Sequence, residues 1–187
     1  TPGDPLEGMI DPLQIGISGH SFGGFTSLVT AMIDPRIKAA VPQAPASGFL
    51  GVMGYDLADF PCPVMLQGSS LDGTLDPAVE LIPAYGKLPS PKFFFELKTG
   101  GHFTYSDICI LDLVYIADSL GIKDADNALN DGCADYNVPT AIAHPMINQF
   151  AIGFFNYYLR GSPGSLQYID QAAGAVHADE LVYDLEM

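Results

Sequence analysis

Five residues, Gly19-His20-Ser21-Phe22-Gly23, constrain this chain more than any other stretch. They follow the apolar run Leu13-Gln14-Ile15-Gly16-Ile17 and lead into a segment with helical spacing, Phe22 to Ile33. A serine between two glycines at a strand-to-helix junction is what a sharp, crowded turn requires. The side chain at the tip projects from the backbone, and its neighbours must be small. Gly19 and Gly23 are expected where strand and helix backbones approach too closely for a side chain. Ser21 then sits at the helix N-terminus, where the Phe22 N–H is free to hold an oxyanion. Without a base the same segment is only a glycine-rich turn with an N-capping serine.

The rest of the chain alternates short apolar runs with helical stretches. Leu13–Ile17 reads as a buried strand, and the helix from Phe22 ends at Asp34-Pro35. Ile37–Val41, the stretch PVMLQG at 63–68, and Lys92–Leu97 (KFFFEL) read as further strands. Ala78–Gly86 and Ala141–Leu159 read as helices, and apolar residues recur at helical spacing from Tyr105 to Leu120. Residues 1–12 are loop, 121–137 are a polar connector, and 162–187 carry no clear pattern. The expected class is α/β, a mostly parallel sheet covered by helices on both faces.

A serine hydroxyl needs a base, and the base needs an orienting carboxylate. The four histidines are His20, His102, His144 and His177. His102 follows a strand and the pair Gly100-Gly101, which let the chain turn the imidazole inward. His20 adjoins the serine and is expected to point away and pack behind the turn. His144 stands before Pro145 at the start of a helix, a structural position, and His177 lies in the unassigned tail. The acid belongs at the end of another strand, because sites in open α/β sheets gather there. Asp72 and Asp76 both follow PVMLQG. Asp72 is nearer the strand end and is the expected acid, whereas Asp76, before Pro77, suits a helix cap.

Composition excludes several classes. With 22 acidic and 7 basic residues the net charge is −15, which repels nucleic acid. No apolar run reaches the ~20 residues of a membrane span. No basic segment followed by an apolar one opens the chain, as a retained signal peptide would require. No CxxC, HExxH or paired-cysteine spacing suggests a metal, DGTLDPAVE lacks the oxygen spacing of an EF-hand loop, and no cofactor is expected. Cys109 and Cys133 can bridge a loop-rich stretch, leaving Cys62 free; spacing alone leaves the pairing open. The acidic surface fits a secreted or a salt-adapted protein, or is simply a solvated face, and secretion is the expectation. Thr1 as an N-terminal nucleophile is disfavoured by Pro2 and its loop context.

The candidate residues fall in the order Ser21, Asp72, His102, with 72 − 21 = 51 and 102 − 72 = 30 residues between them. GHSFGG resembles the nucleophile elbow of the α/β-hydrolases, CPVMLQGSSLDGTLDP their acid loop, and KTGGHFTYSD their histidine loop. More narrowly, GHSFGG, GGHFTYSDIC and AHPMINQFAIGFFNYYLRG resemble platelet-activating-factor acetylhydrolase and dienelactone hydrolase-like esterases, whose relatives include cutinase-like polyester hydrolases. The similarity runs over roughly residues 8–161. It implies a serine carboxylic-ester hydrolase working through an acyl-enzyme. Phe22, Phe49, Leu50, Val52, Met53 and Phe103 lie on loops expected to open beside the elbow, where they would either line an apolar acyl pocket or pack into the core.

In that family several strands precede the nucleophile strand, and one of their loops supplies a second oxyanion donor. Here the elbow arrives about twenty residues in. The chain, 1–187, is therefore expected to be the C-terminal portion of one α/β-hydrolase domain, completed by an N-terminal chain or segment of the same precursor. A peptidase or acyltransferase could use the same triad, and a catalytically silent hydrolase-fold binding module is the alternative of a different class.

Overall fold

The computed structural model describes residues 3–5, 7–9, 11–111, 113–121 and 130–187. Its described strands are β1 (Ile15–His20), β2 (Ile37–Gln43), β3 (Val64–Ser69), β4 (Lys92–Leu97) and β5 (Leu181–Glu186). They form one sheet in the order β1-β2-β3-β4-β5. The first four are parallel, and β5 runs antiparallel to β4. Parallel strands return through crossovers, so the C-terminal ends of β1 to β4 share one rim.

Both faces of the sheet are covered. Helix α1 (Phe22–Ile33) and the short helix Ile82–Lys87 cover one face, where Phe25, Leu28, Ala31 and Ala84 meet Ala40, Val64, Leu66 and Phe94. The long helix Thr140–Tyr158 and the helix Gln171–Val176 cover the other, where Met146, Ile147, Phe150, Phe154 and Ala173 meet Val41, Met65, Phe93 and Phe95. Neighbours along β4 alternate between the two cores, as a period of two demands. All six residues of β3 and of β4 are buried, whereas β1 is only partly buried.

Several elements depart from the sequence expectation. β1 starts two residues later and runs through His20. Asp11 takes Leu13 and Gln14 out of the strand, its Oδ1 accepting from Leu13 N–H at 2.9 Å and its carbonyl from Gln14 N–H at 3.2 Å. The single helix expected at 78–86 is two short ones, Pro77–Glu80 and Ile82–Lys87. Pro83 lacks the N–H that would carry the first into the second. Among the described residues of the stretch 105–120, only Leu113–Ser119 is α-helical. It follows 3₁₀ turns at His102–Tyr105 and Asp107–Cys109. Residues 122–129 of the polar connector lie outside the described residues, as do 1, 2, 6 and 10 of the opening loop. The unassigned tail forms a 3₁₀ segment, Pro163–Tyr168, the helix Gln171–Val176 and β5.

Candidate active site

Ser21 sits between β1 and α1 with φ 59° and ψ −118°. A non-glycine residue there costs on the order of 1–3 kcal/mol, and surrounding contacts must hold it. One such contact is the bond from its N–H to the carbonyl of Gln43 at the end of β2, 2.8 Å. The glycine requirement matches the motif at Gly19 but not at Gly23. A Cβ on Gly19 would lie 2.6 Å from the backbone C and O of Gly23. A Cβ on Gly24 would lie 2.8 Å from the carbonyl of Gln43, but one on Gly23 would meet nothing within 4 Å. Gly19 and Gly24 are therefore the sterically required pair, and Gly23 is required only as backbone. The Phe22 N–H belongs to the first turn of α1, whose amides have no intrahelical acceptor, so it can face a developing oxyanion.

Asp72 follows β3 in a tight turn and is 7% exposed. Its Oδ1 accepts from the N–H groups of Thr74 (3.0 Å) and Leu75 (2.6 Å), which leaves Oδ2 pointing at His102. Asp76 instead caps the next helix, accepting from Ala78 N–H at 2.9 Å, with Pro77 in the first helical turn. His102 follows β4 and is 2% exposed. Its Nδ1 lies 2.8 Å from Asp72 Oδ2, and its Nε2 lies 2.9 Å from Ser21 Oγ. An ionised carboxylate can only accept, so Nδ1 carries the proton and Nε2 is left to accept from the serine hydroxyl.

The histidine loop is held from several sides. Leu71 N–H donates to the Gly100 carbonyl at 3.0 Å, and the Tyr105 hydroxyl donates to the Gly68 carbonyl. His20 does not turn away from the site. Its Nε2 donates to the His102 carbonyl at 2.8 Å, and its ring centroid lies 4.7 Å from that of His102. Burial and the adjacent His102 ring hold the His20 imidazole below its ordinary value, so it stays neutral. His144 lies in the long helix and reaches the Thr104 carbonyl at 3.1 Å, a supporting role. His177 ends the helix Gln171–Val176, remote in sequence from the site.

Cys109 and Cys133 form a disulfide, and Cys62 is free and partly buried. Of the residues expected either to line an acyl pocket or to pack into the core, Leu50 is in the core, 2% exposed. It packs with Phe25 and Leu57 because the short helix Phe49–Val52 turns it inward. Phe22, Phe49, Val52 and Met53 are exposed. Phe103 is half-buried, with its ring edge-on to His102 at 5.3 Å. Sequence reasoning missed the bracing role of His20. It also missed Asp131, whose carboxylate contacts the loops of both Asp72 and His102; the disulfide two residues on was the one local signal.

Two kinds of comparison bear on what this arrangement belongs to. A PET hydrolase-like family model matches residues 1–111. The chain is 30% identical over 96 residues to cutinase est2 of Thermobifida alba, covering 50% of this chain and 30% of that protein. It is 31% identical over 96 residues to cutinase 1 of Thermobifida cellulosilytica, covering 50% and 35%. It is 29% identical over 101 residues to a bis(hydroxyethyl) terephthalate hydrolase of Streptomyces coelicolor, covering 53% and 31%. The matched region thus spans about a third of each relative's length.

Proposed function

This chain belongs to the PET hydrolase-like family, and on that premise we propose that it acts as a serine carboxylic-ester hydrolase through Ser21, His102 and Asp72. The observation that carries the reading is the continuous relay from Asp72 Oδ2 through the His102 ring to Ser21 Oγ, with links of 2.8 and 2.9 Å. His102 Nε2 removes the Ser21 proton as Oγ attacks the ester carbonyl. The tetrahedral oxyanion rests on the Phe22 N–H and one further donor. His102 then protonates the leaving alcohol, and water repeats the cycle on the acyl-enzyme. Asp72 holds the ring in the required tautomer and stabilises its charged form.

The further donor is supplied by a more N-terminal segment of the same protein, of which this chain is the C-terminal part of a single α/β-hydrolase domain. The partial burial of β1, at the edge of the described sheet, supports this, as does the length of the relatives. The disulfide supports secretion into an oxidising compartment. Among the described residues no helix is long and apolar enough to cross a membrane. Exposed Phe22 and Phe49 suit esters with apolar acyl or aromatic groups, polyesters included.

The test compares the full-length protein with its Ser21→Ala variant on p-nitrophenyl butyrate, bis(hydroxyethyl) terephthalate and a peptide p-nitroanilide. Hydrolysis of the esters, lost in the variant and far exceeding that of the anilide, is expected. Equal activity in both proteins, or preference for the anilide, overturns the reading.

A further inference from the structure

The candidate base is carried on a loop, and so is its acid. A relay of this kind works only if both loops hold their side chains to within about half an ångström. One carboxylate outside the relay touches both loops. Asp131 Oδ1 accepts from the backbone N–H of His102 at 2.8 Å and from that of Gly73 at 3.1 Å. Its Oδ2 accepts from the Thr74 hydroxyl at 2.6 Å. Gly73 and Thr74 directly follow Asp72, so a single side chain ties the acid loop to the base itself. Together with His20 on the carbonyl, it leaves both backbone polar groups of His102 held by side chains from distant parts of the chain.

The segment bearing Asp131 is itself fitted to this place. A Cβ on Gly101 would lie 2.4 Å from Gly132 N, and one on Gly132, which has φ +121°, would lie 2.7 Å from Thr104 N. Backbone therefore packs directly on backbone beside the histidine, and Cys133 anchors the segment to Cys109 in the turn just beyond it. Burial acts to raise the Asp131 carboxyl. The hydrogen bonds from His102, Thr74 and Gly73 outweigh it and hold the group below the usual carboxylate range, so it stays ionised as an acceptor.

We propose that Asp131 is a positioning residue whose carboxylate clamps the Asp72 loop to the His102 loop and so fixes the imidazole between acid and serine. The inference rests on the hydrolase reading above.

The experiment uses the full-length protein with p-nitrophenyl butyrate, measuring kcat and KM per folded molecule alongside thermal melting. Asp131→Ala frees both loops, and kcat falls about 10- to 100-fold, as sub-ångström misplacement costs, while KM changes less than about twofold. Asp131→Asn retains Oδ1 for the two backbone N–H groups and can donate to the Thr74 hydroxyl, so kcat returns to within a few-fold of wild type. The inference is overturned if Asp131→Ala keeps wild-type kcat with only a lower melting temperature, if Asn rescues nothing, or if the loss lies in KM. Should Asp131→Ala fail to fold, Thr74→Val decides: a kcat drop of about threefold at constant KM supports the clamp, and unchanged kcat overturns it. A wild-type protein that hydrolyses no ester overturns this inference and the hydrolase reading together. An active wild type matched by Asp131→Ala overturns this inference alone.

Discussion

Replacing Gly19 by alanine tests the elbow at one atom. The new Cβ would lie 2.6 Å from both C and O of Gly23, where ordinary contact begins at 3.4 Å. The shortfall is 3.4 − 2.6 = 0.8 Å, and the blocking atoms are backbone, which cannot swing aside. The strand end and the start of α1 must separate by about that distance, and Ser21 sits at their junction. If the displacement falls along the Ser21–His102 hydrogen bond, 2.9 Å becomes 2.9 + 0.8 = 3.7 Å, and the bond is lost. Misplacement on the 1 Å scale costs roughly 10²-fold in rate, and crowding of this kind costs about 1–3 kcal/mol of stability. Gly23→Ala is the control. Its Cβ meets nothing within 4 Å, and alanine in a helix gains up to about 1 kcal/mol over glycine. The assay is kcat on p-nitrophenyl butyrate, normalised to the folded fraction by circular dichroism. Gly19→Ala is expected to lose about 10² in kcat, and Gly23→Ala to stay within a few-fold of wild type. Equal losses in the two variants, or a Gly19→Ala protein of near-normal rate, would refute the steric argument.

Asp72→Asn presents an amide that no longer fixes the proton on His102 Nδ1, so kcat should fall about 10⁴-fold with little change in KM; a loss below tenfold would count against Asp72 as the acid. The paired Cys109→Ser and Cys133→Ser changes open a loop with a sequence separation of 24. They should cost about 3 kcal/mol, lowering Tm by roughly 5–10 °C; an unchanged Tm contradicts this. Glu96 is buried in β4, and that burial pushes its carboxyl above the ordinary 4.5, opposed by a hydrogen bond with Ser70. The folded state then favours the protonated form, so wild-type stability falls as pH rises from about 4.5 through the raised value. Glu96→Gln should therefore melt higher than wild type at pH 7 and lose that advantage below pH 4.5; a pH-independent difference would refute the charge argument.

What could be read from the sequence is what is encoded locally. KFFFEL, bounded by Pro91 before and Thr99-Gly100 after, gave β4 its limits because a buried parallel strand needs an unbroken apolar run. Asp34-Pro35 marked the end of α1, and the glycine-flanked serine marked the strand-to-helix junction. The order Ser21, Asp72, His102 placed each residue after a different strand, which is enough to bring them to one rim. Features that depend on distant contacts stayed hidden. The steric need for Gly24 comes from Gln43 and Pro45 at the end of the neighbouring strand, which a five-residue motif cannot encode. β5 pairs with β4 across more than eighty residues, and its alternating exposure is that of a strand covered on one side. Asp131 lies 29 residues from His102 and 58 from Gly73, within a polar stretch that resembles a simple connector.

The most direct measurement is labelling of the full-length protein with a serine-directed fluorophosphonate, read by peptide mass spectrometry. A single adduct on Ser21, absent in Ser21→Ala and strongly slowed in His102→Gln, is the expected result. A folded, ester-hydrolysing protein that carries its adduct on another residue, or labels equally fast without the imidazole at 102, would contradict the relay.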